Sequence, residues 1–430
     1  MKFFILTLGC KVNQYDSQAI FEKLVKAGFE NSENIEAADI IIINSCTVTA
    51  ESDKKVRKLI NKAKKDNENA LVVLTGCMAQ TLKKDSDILK KVDMVLGNSQ
   101  KEEILDRINE LLLKREKSFC VGNFDKNCIH DNFYVKNFSN RTRAFVKIED
   151  GCNRFCSYCI IPYARGGVRS KPLEKIYSEI KELAENGYKE VVLVGINLFS
   201  YGQDINSNLC EVIEKISKID SLKRIRLGSL EPECMSEDVI KRLSKQEKLC
   251  PQFHLSLQSG CNETLKRMNR HYSKEEYFGI VCNLRKYFKN SSITTDVMVG
   301  FAGETDEEFK DSLEFIKSVG FSKAHVFPYS IREGTKAALF KNHVPQNIKI
   351  KRTHIMIDAT QKSRENFLKS QVDLEEEVLF EREVSKNLYE GYTRNYTPVI
   401  CESLNDISGE ILNVKVYEVL NDKCLAKVVN

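Results

Sequence analysis

Histidine is scarce in this chain of 430 residues: six copies, scattered singly. A metal centre built on imidazoles is therefore not expected. Long apolar runs are missing too; none approaches the roughly 18 residues that a membrane-crossing helix needs, so no membrane partner is expected. No internal repeat or low-complexity tract stands out, and the hydrophobic and charged fractions are those of a soluble globular protein. The opening M-K-F-F-I-L-T-L-G-C has the look of a short export signal ending in cysteine. Its apolar stretch is short, is interrupted by Thr7 and runs straight into a helical pattern. It reads as a first buried strand, and the protein as cytoplasmic.

What the chain has in excess is cysteine, fifteen in all, an odd number without the spacing of a secreted disulfide framework. In a reducing compartment such thiols bind metal or do chemistry. The stretch G-C-N-R-F-C-S-Y-C sets Cys152, Cys156 and Cys159 close together. A structural zinc site would close with a fourth ligand nearby, yet the next cysteine is Cys210 and the next histidine His254. The trio reads as a centre with three protein ligands and one open position: three thiolates can hold three irons of a four-iron, four-sulfur cluster. A zinc knuckle borrowing a distant ligand is the alternative. Most other cysteines, such as Cys120, Cys210 and Cys282, read as small apolar side chains.

The length suggests two or three domains. Over residues 1–115 strand-like runs at Phe3–Leu8, Ile40–Asn44, Leu71–Thr75 and Met94–Leu96 alternate with helical patterns near Ser17–Ala27, Asp53–Lys65 and Lys101–Lys114. This predicts a small parallel α/β domain. Residues 116–140 read as a linker. Residues 141–369 carry six candidate strands, Ala144–Glu149, Glu190–Gly195, Arg224–Leu227, Gln252–Leu257, Ile293–Val299 and Lys323–Tyr329, each followed by a helix. Six units are too few for a closed eight-stranded barrel, so an open, partial (βα)6 barrel is expected, with chemistry at the strands' C-terminal ends. Residues 370–430, after a helix near Ile348–Leu368, hold five short strand patterns and predict a small closed β-barrel of the oligonucleotide-binding kind.

Cys10, Cys46 and Cys77 share a context: I-L-T-L-G-C, I-I-I-N-S-C and V-V-L-T-G-C each end a buried strand on a thiol. Parallel strands would bring the three thiols together at the sheet edge where such sheets bind ligands. Three thiolates at one place suit a soft metal; three unrelated buried cysteines are the duller reading.

The three-then-two spacing of Cys152, Cys156 and Cys159 resembles that of the radical S-adenosylmethionine enzymes. With G-C-K-V-N-Q-Y-D-S, I-P-Y-A-R-G-G-V-R-S, H-L-S-L-Q-S-G and D-V-M-V-G-F-A-G-E-T, the chain looks like the methylthiotransferases over nearly its whole length, including a C-terminal domain of the type called TRAM. The form T-L-G-C-K-V-N-Q-Y is similar to the branch acting on threonylcarbamoyladenosine next to the tRNA anticodon; branches acting on isopentenyladenosine or on a ribosomal protein carry other residues after the cysteine. A non-catalytic iron–sulfur RNA-binding protein is a further alternative.

The resemblance implies two four-iron, four-sulfur clusters, one auxiliary, on Cys10, Cys46 and Cys77, and one on Cys152, Cys156 and Cys159, whose open iron takes S-adenosylmethionine. One S-adenosylmethionine would methylate a sulfur; a second, cleaved by an electron from the cluster, would yield the radical that removes hydrogen from adenine carbon 2. Tyr158 matches the aromatic position beside the cofactor. Asn197, Ser229, Glu231 and Gln258 each follow an expected strand, where a polar group reaches the cofactor or caps the next helix. Gly300 and Gly303 would allow close backbone approach or only a turn. The implied partners are the anticodon loop of ANN-decoding tRNAs and a reductant, and a monomer is expected; position 37 is single-stranded and open to unstacking.

Charge is uneven: net +2 over residues 1–140, +9 over 141–370 and −6 over 371–430. Arg141, Arg143, Arg154, Arg165, Arg169 and Lys171 group around the cluster loop and suggest a phosphate-binding patch, unless they bind the cofactor or pair internally. In the acidic tail Tyr389, Tyr392, Tyr396 and Tyr417 could stack bases and Arg394 and Lys415 could contact phosphate, or they could be barrel core and surface.

Overall fold

The computed structural model describes residues 1–124, 128–138 and 141–429, so the stretch read as a linker lies partly outside the described residues. The N-terminal part is a parallel sheet. Strand β1 (Lys2–Thr7) leads to α1 (Lys11–Lys26), β2 (Glu30–Asn31), β3 (Ile40–Ser45), α2 (Ala50–Asp66), β4 (Leu71–Gly76), α3 (Cys77–Thr81), β5 (Met94–Leu96), α4 (Ile104–Lys114) and β6 (Ser118–Cys120). The order is β2-β1-β3-β4-β5-β6 with every pair parallel. Ile40–Ile43 is apolar at every position because helices cover both faces of the sheet. The winding reverses between β1 and β3, and a crevice opens there beyond the strand ends.

Two short strands went unseen in the sequence. One of them, β6, falls inside the stretch read as a linker. Helix α1 starts at Lys11 rather than near Ser17, because its first turns bury Asn13 and Asp16 against the rest of the molecule instead of showing an apolar stripe.

The central part runs through β7 (Arg143–Lys147), β8 (Glu149–Asp150), α5 (Ile161–Arg165), β9 (Arg169–Ser170), α6 (Leu173–Glu185), β10 (Glu190–Val194), α7 (Leu209–Ile216), β11 (Arg224–Leu227) and β12 (Ser229–Leu230). It continues with α8 (Glu237–Ser244), β13 (Gln252–Leu255), α9 (Asn262–Arg267), α10 (Lys274–Tyr287), β14 (Ser292–Val299), α11 (Asp306–Val319) and β15 (Lys323–Pro328). Strands β7, β10 and β11 form one parallel sheet and β12 to β15 another. Only Gly228 separates β11 from β12, so the two sheets make one curved six-strand path. This is the open partial barrel expected. Capping boxes at Ser273/Glu276 and Thr305/Glu308 fix where α10 and α11 begin.

Helix α12 (Gln346–Lys369) carries the chain to β16 (Glu375–Ser385), β17 (Leu388–Thr393), β18 (Pro398–Glu402), β19 (Ile411–Leu420) and β20 (Lys423–Val428), closed in the order β16-β17-β18-β20-β19. Closure leaves no open sheet edge. This barrel seats on the N-terminal ends of the core strands. Arg224 Nη2 donates to the Glu377 carbonyl (2.7 Å), Arg226 Nη1 to the Arg394 carbonyl (3.0 Å), and Arg143 Nε pairs with Glu381 (2.6 Å).

The tyrosines settle accordingly. Tyr392 and Tyr396 stack on each other, centroids 4.6 Å apart, with the Arg143 guanidinium 5.2 and 5.0 Å from the two rings. Tyr389 is barrel core, and Arg394 donates to the carbonyls of Glu247 and Leu249. Those four groups hold the barrel together and against the core; Tyr417 remains exposed.

Candidate active site between two cysteine trios

Strands β1, β3 and β4 are neighbours, and Cys10, Cys46 and Cys77 follow their C-terminal ends. Ser45 is in register with Gly76, so Cys46 and Cys77 begin side by side; Thr7 is opposite Asn44, which brings the turn carrying Cys10 next to them. Cys10 and Cys46 thus flank the reversal crevice. Cys46 and Cys77 are buried, whereas Cys10 is open to water though ringed by protein. Burial raises the Cys10 thiol pKa, Arg165 partly opposes it and the Cys77 thiol adds to it; burial also raises Cys46, with Cys77 and Cys10 adding.

Cys152, Cys156 and Cys159 lie on the loop between β8 and α5. The loop is tied down by the Cys152 amide donating to the Gly166 carbonyl (3.0 Å) and Ser157 Oγ donating to the Arg267 carbonyl (2.8 Å). Burial, then the neighbouring Cys156 thiol, pushes Cys152 and Cys159 each up to about 12. Bound iron reverses that balance, because a coordinating thiol gives up its proton. Among the described residues no three Cys, His, Asp or Glu side chains close on a single ion. That is unlike a mononuclear zinc site, while thiolates set around a multi-iron cluster need not meet at a point.

Around the barrel mouth, buried polar atoms await partners. Asn197 is 2 % exposed with neither amide atom bonded, and Gln258 is 8 % exposed with Oε1 unbonded. Gln258 also holds a left-handed φ of 67°, uncommon for a non-glycine residue. Buried amides do not stay unpaired without cost, so both fit a polar ligand such as S-adenosylmethionine. Glu231 is engaged by Arg270, which also donates to Cys156 Sγ (3.3 Å). Tyr158 meets Phe301 edge-on at 6.3 Å, beside the trio. Ser229 is exposed and in register with His254. Gly300 answers to other neighbours: its amide donates to Glu304 (2.7 Å), its φ is 67°, and a Cβ there would lie 2.5 Å from Lys349 Cγ.

Arg165 was read as part of a phosphate-binding patch, and the structure gives it a different place. Fully buried at the end of α5, it donates through Nε to Cys77 Sγ (3.3 Å), through Nη1 to both Asp150 oxygens (2.9 and 3.0 Å) and through Nη2 to Asn13 Oδ1. Asp16 beside it pairs with Lys147 (2.6 Å) and Lys101. Burial works to raise the Asp16 pKa, but Lys101, Lys147 and Arg165 outweigh it and hold the carboxyl below its usual range. Tyr15 donates to Glu179 (2.8 Å), which pairs with Lys171. The N-Q-Y-D and A-R-G-G-V-R-S motifs therefore form one buried network that joins the first sheet to the core. Arg169 lies near Asp150 (3.7 Å), Arg154 pairs with Glu233, and Arg143 with Glu381. Five of the six patch residues are thus paired internally, while Arg141 lies over the Phe145 ring. Phe155 on the loop and Tyr163 on α5, both 54 % exposed and edge-to-face at 6.1 Å, carried no sequence signal.

A six-strand open barrel with three cysteines on the loop after its first strand defines the radical S-adenosylmethionine class. Residues 146–316 match the profile of the Radical SAM superfamily, and residues 2–97 that of the Uncharacterized protein family UPF0004. The chain is 41 % identical to the threonylcarbamoyladenosine tRNA methylthiotransferase MtaB of Aquifex aeolicus, over 97 % of this chain and all of that one. It is 37 % identical to the tRNA-2-methylthio-N(6)-dimethylallyladenosine synthase of Clostridium botulinum, over 97 % and 94 %. Among solved structures, the radical S-adenosylmethionine methyltransferase TsrM of Kitasatospora setae superposes with a TM-score of 0.57 at 14 % identity, covering 76 % of this chain and 72 % of that one, a likeness of fold. The chain belongs to the radical S-adenosylmethionine methylthiotransferases, enzymes that use S-adenosylmethionine and a four-iron, four-sulfur cluster.

Proposed function

We propose that this chain converts N6-threonylcarbamoyladenosine at position 37 of tRNA to its 2-methylthio derivative in the cytoplasm, acting as a monomer with an external reductant. Residues 1–115 form the unit holding an auxiliary four-iron cluster through Cys10, Cys46 and Cys77; 116–140 connect it to the radical core of 141–369; and 370–430 form a TRAM unit. Cys152, Cys156 and Cys159 hold the second cluster. When bound, the clusters and S-adenosylmethionine supply the electron, the methyl group and the sulfur, chemistry that an unactivated aromatic C–H demands because it offers no acidic proton to a base.

The chain's own residues bind, orient and exclude water. Asn197 and Gln258 supply unpaired amide atoms for S-adenosylmethionine, Tyr158 flanks it, and Glu231 acts through Arg270 on the Cys156 side. Ser229 lines the approach, and Gly300 shapes the turn beneath. The observation that carries the reading is Arg165, which touches the ligand Cys77 and is anchored to Asp150, the residue that opens the radical-cluster loop. Both trios are thereby held in one rigid frame.

Anaerobic reconstitution followed by nucleoside mass spectrometry of treated tRNA tests it. A methylthio increment on threonylcarbamoyladenosine alone is expected. The second reading, transfer to dimethylallyladenosine, is favoured by the 37 % identical relative and would put the increment on that nucleoside.

A further inference from the structure

Strand β2 covers little of its neighbour, pairing only with Lys2 and Phe3 of β1. From Phe4 to Thr7 that edge of β1 has no partner strand, and such an edge presents unpaired N–H groups. A cavity of about 350 Å³ opens against this stretch, lined also by Gln14 and Gln18 of α1, by Asn31 and by Arg141. Thr7, Asn31 and Arg141 are exposed, so the cavity is open to water. It adjoins the turn that carries Cys10, whose carbonyl accepts from the Gln14 amide (3.1 Å). Arg141 gives the cavity its sign. The other five basic residues of the cluster-loop patch are paired internally, whereas among the described residues no carboxylate lies within ion-pairing distance of Arg141. Glu381, the acid whose field reaches it, already pairs with Arg143 at 2.6 Å. The Phe145 ring, its centroid 4.9 Å from the guanidinium carbon, takes the flat face and leaves the N–H edge free. Among the described residues the side-chain amides of Gln14, Gln18 and Asn31 have no hydrogen-bond partner either. A guanidinium without a carboxylate, three free amides and a bare strand edge around one cavity are donors for an oxyanion.

We propose that this cavity holds a backbone phosphate of the tRNA anticodon arm, with Arg141 as its charged contact; the inference rests on the tRNA substrate proposed above. The cavity adjoins the Cys10 turn, so a loop whose base reaches the cysteines brings its own phosphates into range. A contact of this kind fixes the position of the RNA without reading its sequence. It also gives a role to the one patch arginine that the fold leaves without an acid, since an internal carboxylate there would compete with the phosphate.

The test is equilibrium binding of anticodon stem–loop RNAs to the reconstituted full chain, read by fluorescence anisotropy over a range of salt. The RNAs carry adenosine or threonylcarbamoyladenosine at position 37. Arg141→Gln is expected to weaken both alike by about tenfold, the size of one charge-assisted hydrogen bond. The slope of log affinity against log salt should fall by about 0.7, one phosphate contact on a single strand. Replacing phosphates one at a time by neutral methylphosphonate should single out one linkage whose loss costs wild type about tenfold and Arg141→Gln nothing further. Equal affinity and slope for variant and wild type overturn the inference while the function stands. So does a loss seen only with threonylcarbamoyladenosine, which would make the ligand the carboxylate of that substituent. If wild type binds neither RNA, inference and function both fall. Should Arg141→Gln fail to fold, Gln14→Ala/Gln18→Ala takes its place in the same cycle: a loss of about threefold is expected, and unchanged affinity overturns the inference.

Discussion

Cys152, Cys156 and Cys159 sit on one loop of eight residues, whereas Cys10, Cys46 and Cys77 meet only once β1, β3 and β4 have paired. The first trio closes a short segment, and little chain entropy opposes its gathering around iron. The second draws on segments some thirty residues apart and depends on the whole sheet to bring them together. Their surroundings differ likewise. Arg270 and Glu231, from elsewhere in the core, serve the loop, while Arg165 from the core serves Cys77 in the N-terminal sheet. The place where Cys10, Cys46 and Cys77 meet is thus tied to domain docking in a way the loop is not.

The sharpest way to separate the two is to remove one ligand from each. Cys156→Ala is expected to abolish both cleavage of S-adenosylmethionine and methylthio transfer. Cys77→Ala should abolish transfer while leaving cleavage, measured as 5′-deoxyadenosine by chromatography; loss of cleavage in both would erase the distinction. Next in size is Asp16→Asn, which leaves Lys101, Lys147 and Arg165 buried around a neutral amide. A loss of about 3–5 kcal/mol in urea unfolding is expected, with the auxiliary iron released before the loop iron.

Gly76→Ala sharpens the contrast further. Gly76 has φ 91°, and a Cβ there would meet the Ser45 backbone, against which Cys77 is set. About 2–3 kcal/mol should be lost, with iron on the loop trio retained. The last contrast comes from acid. Burial works to raise the Glu190 pKa, yet Arg226, Arg143 and Arg224 hold it at about 2, against 4.5 for a free glutamate. The stability it contributes is complete above about 4.5 and is lost as pH falls toward 2. Glu190→Gln should flatten that limb of a urea-midpoint profile against pH, since the carboxylate shared by Arg226, Arg143 and Arg224 then no longer titrates.

The placement of the six cysteines, at neighbouring strand ends and on one loop, was legible because its cues are local: a strand that ends on a thiol, or three thiols at fixed spacing. The open barrel was legible because six apolar runs alternate with helical periodicity, and the closed tail barrel because five short strands sit between turn residues. The contacts of Arg165 and Arg270 were not, since what matters about them is a partner more than eighty residues away. Tyr392 and Tyr396 illustrate the same limit. As sequence they are candidates to stack bases, and only the packing of β17 on Arg143 shows that they hold two parts of the molecule together. Gly300 carries an ambiguous cue, because a glycine required by a turn and by Lys349 looks the same in sequence as one that admits a ligand.

Iron counting with Mössbauer spectroscopy on anaerobically reconstituted protein tests the central claim most directly. The account predicts about eight irons per chain as two four-iron clusters, and about four in each of two triple variants, Cys10/Cys46/Cys77→Ala and Cys152/Cys156/Cys159→Ala. About four irons in the wild type, or zinc in either site, would contradict it.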